Sequence, residues 1–290
     1  MIIVQLKGGL GNQLFQYAAG LSLASHHGVP LKVDIAELFE KKHATDTARA
    51  FDLEKFNCNP VVANEAEIAS VLQSSALKKW TDKLKPCYKR LDYKEAAFFF
   101  DPHFFQSGNH IYLRGYRQSE KYFQHIEVLI RQQFVIKPVY TNPVKELAEK
   151  LRSHNSVAVH IRRKDYLSAA YSKIHGALPA DYYNRAAELI AGKTDQPVFY
   201  IFSDDPEWVK ANFNIGLPVV FITPEMSNAA ITDFYLISSC RHQVIANSTF
   251  SWWAAWLNDN TGKMVVAPNK WFNEAAHNTK DLVPANWIRI

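Results

Sequence analysis

Residues 158–166 read Ala158-Val159-His160-Ile161-Arg162-Arg163-Lys164-Asp165-Tyr166, an apolar, strand-like run that passes straight into three consecutive cations. Arginine carries a planar fork of donors that matches phosphate oxygens, so paired arginines at a strand end suit a diphosphate. In open α/β sheets ligands sit beyond the carboxyl ends of the strands, where this loop would fall. Taken alone, the stretch fits a solvated basic turn with an arginine–aspartate bridge equally well.

Three other clusters carry groups that could meet a ligand. Lys7-Gly8-Gly9-Leu10-Gly11-Asn12-Gln13 lies where a strand gives way to a helix. Gly9 and Gly11 let backbone amides approach a phosphate or sugar there, and Asn12 and Gln13 add amide side chains suited to hydroxyls. Gly9-x-Gly11 followed by Asp34 is a near miss for the dinucleotide fingerprint, because Leu14 stands at the third glycine position. At Phe202-Ser203-Asp204-Asp205, Asp205 reads as the cap of a helix opening at Pro206. Ser203 and Asp204 are left to accept from ribose hydroxyls or from the N–H edge of guanine. In Asn247-Ser248-Thr249-Phe250-Ser251, hydroxyls and amides gather at a helix start and form a neutral cradle for an anion. Simple capping by Ser248 is the competing reading. Trp252, Trp253 and Trp256 follow at helical spacing and read as core.

These clusters need a scaffold that delivers strand ends to one edge. Residues 2–6 form a short β-branched run. Leu14, Tyr17, Ala18, Leu21 and Ala24 then recur at helical spacing until Gly28-Val29-Pro30, and 31–34 reads as the next strand. That is the sequence form of a parallel crossover. Residues 36–125 lack clean alternation and are expected to be helices and loops elaborating the first domain. Beyond them strands at 157–161, 198–202, 219–222, 243–246 and 264–267 alternate with helices at 180–191, 206–213, 228–241 and 252–257. This pattern predicts a doubly wound parallel sheet. The expected architecture is α/β with two Rossmann-like domains, 1–140 and 141–290, meeting near 138–143.

At 290 residues the chain is long enough for two modest domains, and its 48% hydrophobic content excludes disorder. The opening Met1-Ile2-Ile3-Val4-Gln5-Leu6 has no basic leader and is too short for a signal peptide or membrane span. Cys58, Cys87 and Cys240 are far apart without Cys-x-x-Cys spacing, which predicts reduced thiols in a cytoplasmic protein and no structural metal. The +5 formal charge concentrates at 78–94, around Trp80 and Tyr88. A solvated helix face is the favoured reading of that segment, with peripheral contact to anionic lipid of the inner membrane as the alternative. No module for nucleic acid is recognisable. There is also no Asp-x-Asp near a strand end, no His-Glu-x-x-His, no Walker A sequence and no Gly-x-Ser-x-Gly elbow.

Four segments taken together, 8–17, 115–120, 160–166 and 247–253, closely resemble the family 11 glycosyltransferases, which are α-1,2-fucosyltransferases. The resemblance runs in the family's order from residue 2 to at least Trp271-Phe272. It implies a GT-B type fold with two Rossmann-like domains facing a cleft, the first on the acceptor side and the second binding the donor. It also implies GDP-fucose as donor, a galactoside acceptor, inversion at the fucose carbon, and neither metal nor cofactor. The His-x-Arg-Arg-x-Asp motif falls on His160, Arg162, Arg163 and Asp165, with Arg162 on the β-phosphate of GDP. Asn12 is placed near the reacting sugar, Asp204 near guanosine, and Ser248, Thr249 and Ser251 around the phosphates. Lys164 stands where many relatives have glycine. Arg117 stands where many have tryptophan, a difference that bears on acceptor choice. The implied reaction is direct displacement, with Asp165, Glu120 and Asp34 as candidate bases. Its place would be bacterial surface glycan or O-antigen synthesis. Two other classes compete: an NAD(P)-dependent oxidoreductase built on Gly9, Gly11 and Asp34, and a non-catalytic sugar-binding module using the aromatic surplus.

Overall fold

The computed structural model describes residues 1–40, 49–72, 76–137, 140–167, 176–273 and 278–290, with the side chains of 76–79 and 165 outside that description. The chain forms two compact units, one of Met1–Lys137 with His277–Pro284 and one of Pro138–Ala276 with Ala285–Ile290.

The first unit is built on four parallel strands, β1 (Ile2–Gln5), β2 (Leu31–Asp34), β3 (Asp92–Lys94) and β4 (Ile111–Arg114), in the order β2-β1-β4-β3. Ile2, Ile3 and Val4 are buried, as expected of a strand with neighbours on both sides. The helix Leu10–His27 lies so close over β1 that a Cβ on Gly20 would stand 2.2 Å from Val4 Cγ2. It stops at Gly28, whose left-handed φ of 61° lets the chain turn back while Val29 N–H closes on Ala24 O at 3.0 Å. Strands β3 and β4 correct the expectation of helices and loops over 36–125. At three and four residues they are too short to display alternation, and Ile111-Tyr112-Leu113 is buried throughout.

The second unit carries six parallel strands: β5 (Ser156–Ile161), β6 (Val198–Ser203), β7 (Val219–Phe221), β8 (His242–Val244), β9 (Val265–Ala267) and β10 (Ile288–Arg289). Their order is β10-β9-β8-β5-β6-β7. The chain therefore winds outward from β5 through β6 to β7, then returns to the other side of β5 and winds outward through β8, β9 and β10. That is the doubly wound order of the Rossmann fold. Val157, Val159 and Ile161 on β5 pack with Phe199, Ile201, Val244 and Val266 against Tyr182, Tyr183, Ala186, Ala187 and Ile190 of the helix Ala180–Ala191. Each such side chain contributes on the order of 1.5–3 kcal/mol by burial. Trp252, Trp253 and Trp256 are buried, and Trp252 also meets Trp287 at 5.3 Å.

Among the described residues no helix is long and apolar enough to cross a membrane. Trp80 and Leu84, in the basic segment, are 61% and 69% exposed. Cys58, Cys87 and Cys240 are all free thiols.

Candidate active site

A doubly wound sheet opens a crevice where its winding reverses, because the two flanking loops leave in opposite directions. In the second unit that point lies between β5 and β8. The loop after β5 carries Arg162 and Arg163, and the loop after β8 carries Asn247 and Ser248. Topology thus brings together two segments some eighty residues apart, on either side of one crevice.

The two loops are tied to each other and to the core by tyrosines. Tyr166 OH donates to Asn247 O at 3.0 Å, across the reversal point. Tyr182 OH donates to Ile245 O at 2.7 Å and sits 3.2 Å from Val266 O. Tyr183 is fully buried, its phenol facing the Arg162 backbone amide. Asn247 uses its Nδ2 to donate to Gly176 O at 3.2 Å and Trp271 O at 3.1 Å, so this side chain staples three stretches of chain together.

The two arginines have different surroundings. Arg163 is held by carboxylates: its backbone N–H donates to Asp204 Oδ1 at 2.8 Å and its Nε reaches Asp205 Oδ2 at 3.4 Å. Its guanidinium also lies 3.7 Å over the Trp208 ring. Arg162 is half-buried directly after β5, with its guanidinium 5.5 Å over the Tyr166 ring. Asp205 caps the helix Pro206–Asn212 by accepting from Trp208 N–H, and takes its own N–H to Ser203 Oγ at 3.0 Å. Asp204 is therefore braced against the Arg163 backbone at the end of β6. The exposed Lys164 opens the short helix Lys164–Leu167. The side chain of Asp165 lies outside the described residues.

His160, at the carboxyl end of β5, is almost fully buried, with its ring 5.5 Å from that of Phe250. Burial first, and the Arg162 cation second, push its pKa down to about 3, so the ring is neutral at physiological pH. Across the crevice Ser248 is the N-cap of the helix Thr249–Leu257, and its hydroxyl makes no capping bond to that helix. The helix start thus offers an anion its dipole and a cap hydroxyl not spent on the helix. Thr249 and Phe250 are half-exposed, whereas Ser251 is fully buried and donates its hydroxyl to Ser248 O at 3.3 Å.

In the first unit Gly8–Gln13 follows β1, a central strand paired with β2 on one side and β4 on the other. Gly8 has φ +76°, and a Cβ on it would stand 2.5 Å from Asn12 Nδ2, so any other residue here would be strained and would crowd the Asn12 amide. Gly9 caps the helix with ordinary extended angles, and Gly11 is buried in its first turn. Gln13 is fully buried, donating to Gly8 O and Ala50 O and accepting from Asp52 N–H. Gln16 pairs with both backbone groups of Lys7. Asn12 stays half-exposed, and its Oδ1 accepts from Gln118 Nε2 at 3.0 Å. Asp34 accepts from Tyr112 OH and from Ala36 N–H, and Glu120 is half-buried at the start of a short 3-10 turn. Arg117 is 2% exposed inside a cage of Tyr93, Phe104 and Tyr122, so its cation stabilises the unit's interior and is not presented to an acceptor. The tyrosine braces and Gln118 were missed as site residues. Tyr166 and Gln118 lie inside motif segments, but nothing in their spacing marks what they hold.

Sheet order and crevice residues define a doubly wound α/β protein whose second unit is suited to an anionic, nucleotide-like ligand. The chain belongs to glycosyl transferase family 11, whose family model matches residues 1–290, and it is a glycosyltransferase. It is 33% identical over 300 residues to an alpha-1,2-colitosyltransferase of Escherichia coli, covering 100% of this chain and 99% of that protein. The O-antigen biosynthesis glycosyltransferase WbnK of Escherichia coli is 31% identical over 304 residues, covering 98% and 99%. Galactoside 2-alpha-L-fucosyltransferase SEC1 of Bos taurus is 28% identical over 262 residues, 88% of this chain and 63% of that one. A point mutant of Arabidopsis thaliana FUT1 in complex with GDP superposes with a TM-score of 0.52 at 14% identity, covering 92% of this chain and 70% of that one. Fucosyltransferase NodZ from Bradyrhizobium superposes at 0.50 with 14% identity, covering 88% and 92%. These two matches establish a shared fold.

Proposed function

We propose that the protein transfers L-fucose from GDP-fucose to the 2-hydroxyl of a terminal galactose, with inversion, in the assembly of a bacterial surface glycan. In this reading the second unit holds the donor and the first reads the acceptor, in the manner of a GT-B enzyme. One observation carries it: Arg162 and the Ser248–Thr249 helix start lie on the two sides of the crevice where the six-stranded sheet reverses. A cation and a helix N-terminus suit the two negative phosphates of a departing nucleoside diphosphate. The α-1,2 linkage draws on the names of the relatives, and the guanosine on the family resemblance.

In the step itself the acceptor oxygen bonds to the anomeric carbon as that carbon's bond to the β-phosphate oxygen breaks. The electron pair leaves with GDP, and the hydroxyl proton passes to a base or to the departing phosphate. Arg162 and the helix start stabilise the charge growing on the diphosphate. His160, neutral and packed against Phe250, does not compete with Arg162 for the anion. Asn12 orients the sugar, and Asp204 with Ser203 accepts from the nucleoside.

The test is incubation of the purified protein with GDP-fucose and a panel of terminal galactosides, followed by linkage mapping of the product. An α-1,2-fucosyl galactoside is expected, with unchanged yield in EDTA. Arg162→Ala should lower kcat/KM by about 10²–10³, the scale of losing one transition-state charge contact. No transfer to any galactoside, or near-normal turnover by Arg162→Ala, sinks the reading.

A further inference from the structure

In the first unit the turn after β4 is held by a carboxylate from the strand beside it. Glu95, immediately after β3, accepts from Tyr116 N–H at 2.6 Å and from Arg117 N–H at 2.8 Å, one amide to each oxygen. The turn is built to close on that carboxylate. Gly115 takes φ +126°, and a Cβ there would stand 2.3 Å from Glu95 Cβ. Arg117 takes φ +49°, a left-handed conformation that costs a non-glycine residue free energy and persists only where its surroundings impose it. The Arg117 side chain is anchored by Tyr93 O at 3.2 Å and by the Tyr93 ring at 4.2 Å. The carboxylate is largely buried, and burial raises its pKa against the lowering pull of Arg117 and Lys7.

The residue this turn delivers is Gln118. It is 7% exposed, its Nε2 donates to Asn12 Oδ1 at 3.0 Å, and its Oε1 is buried with no partner among the described residues. Gly8 leaves the space that the Asn12 amide occupies, since a Cβ there would stand 2.5 Å from Asn12 Nδ2. We propose that Glu95 is a positioning residue for sugar transfer: by holding the amides of Tyr116 and Arg117 it sets Gln118, and Gln118 sets the amide of Asn12, the residue to which the proposed function assigns the sugar. The inference rests on the transferase reading above. It adds two residues, Glu95 and Gln118, that act through Asn12.

Glu95→Gln keeps the size of the side chain but puts a donor where one amide needs an acceptor. The expected result is a fall in kcat of about tenfold or more, with GDP affinity by thermal shift unchanged within about twofold. Gln118→Ala should do the same. Because both act along one route, the double variant should fall no further than the worse single variant, whereas independent contributions would multiply. If Glu95→Gln does not fold, Glu95→Asp, which keeps the charge but withdraws it by one methylene, replaces it in the comparison. Normal kcat in the Glu95 variant, a parallel loss of GDP binding, or multiplicative losses in the double variant would each overturn the proposal. Absence of transfer by the unsubstituted protein instead strikes the transferase reading itself.

Discussion

His160 has one interaction with a measurable signature away from catalysis. Its pKa is pushed from the usual histidine range to about 3 by burial and the adjacent Arg162 cation. The unfolded chain therefore binds a proton at this position that the folded chain refuses. The sign follows: stability is fully present above about pH 6.5 and is lost as pH falls toward 3. The slope from this one group approaches about 1.4 kcal/mol per pH unit. Between pH 6.5 and 5 most carboxylates stay ionised, and those that burial raises, Glu95 and Asp233, are common to the wild type and the variant. His27, His125 and His242 are also lowered by burial and contribute in the same direction. Urea unfolding of the wild type and His160→Gln across that window should give a shallower dependence in the variant, the other three histidines being common to both. Equal slopes would mean that His160 is protonated in the folded protein, and the neutral ring beside Arg162 would be wrong.

Elements place the site, and they differ in how plainly they are written in the sequence. β5 was legible because a central parallel strand is buried on both faces and reads as an apolar run, Val157 to Ile161, interrupted only by His160. Its carboxyl end then put Arg162 at a loop by necessity. β3 (Asp92–Lys94) and β10 (Ile288–Arg289) carry charged residues in spans of three and two, so neither reads as an apolar run, and β4 (Ile111–Arg114) has only short 3-10 turns beside it, with no helical pattern to mark a crossover. Side chains that brace loops are illegible for another reason: Glu95 meets Tyr116 21 residues on, and Tyr182 meets Ile245 63 residues on, through single polar contacts that leave no pattern. Asn247 belongs to this group. Its position beside Ser248 pointed to a ligand, whereas its Nδ2 binds two backbone carbonyls, those of Gly176 and Trp271. Asn247→Ala orphans both, at about 1–3 kcal/mol for each buried group left unpaired. The expected loss, about 2–4 kcal/mol in urea unfolding of the ligand-free protein, separates bracing from ligand contact. A loss below about 0.5 kcal/mol would return Asn247 to a purely ligand-facing role.

For the whole molecule, the relatives' names carry two sugars, colitose and fucose, and chemistry can test the proposed fucose donor against the other. The alpha-1,2-colitosyltransferase and the O-antigen enzyme of Escherichia coli match the chain end to end, and the mammalian galactoside fucosyltransferase matches most of it. Colitose is fucose without its 3-hydroxyl, so the choice depends on whether the protein hydrogen-bonds that oxygen. A site built to pair with a hydroxyl rejects the analogue lacking it by about 10⁴–10⁵, because its own polar groups are left unpaired. An apolar site that fits the deoxy sugar rejects the added hydroxyl by only about 10². The ratio of kcat/KM for GDP-fucose to that for GDP-colitose therefore reports the wall of the sugar pocket as well as the substrate. The residue that the proposed function assigns to the sugar, Asn12, offers an amide, which favours pairing over apolar fit. The expected ratio is above about 10³ in favour of fucose, measured with one galactoside under the same conditions. A ratio below one would make colitose the donor and require the 3-position to face apolar side chains, while leaving Arg162 and the helix start at Ser248 with the same diphosphate to hold.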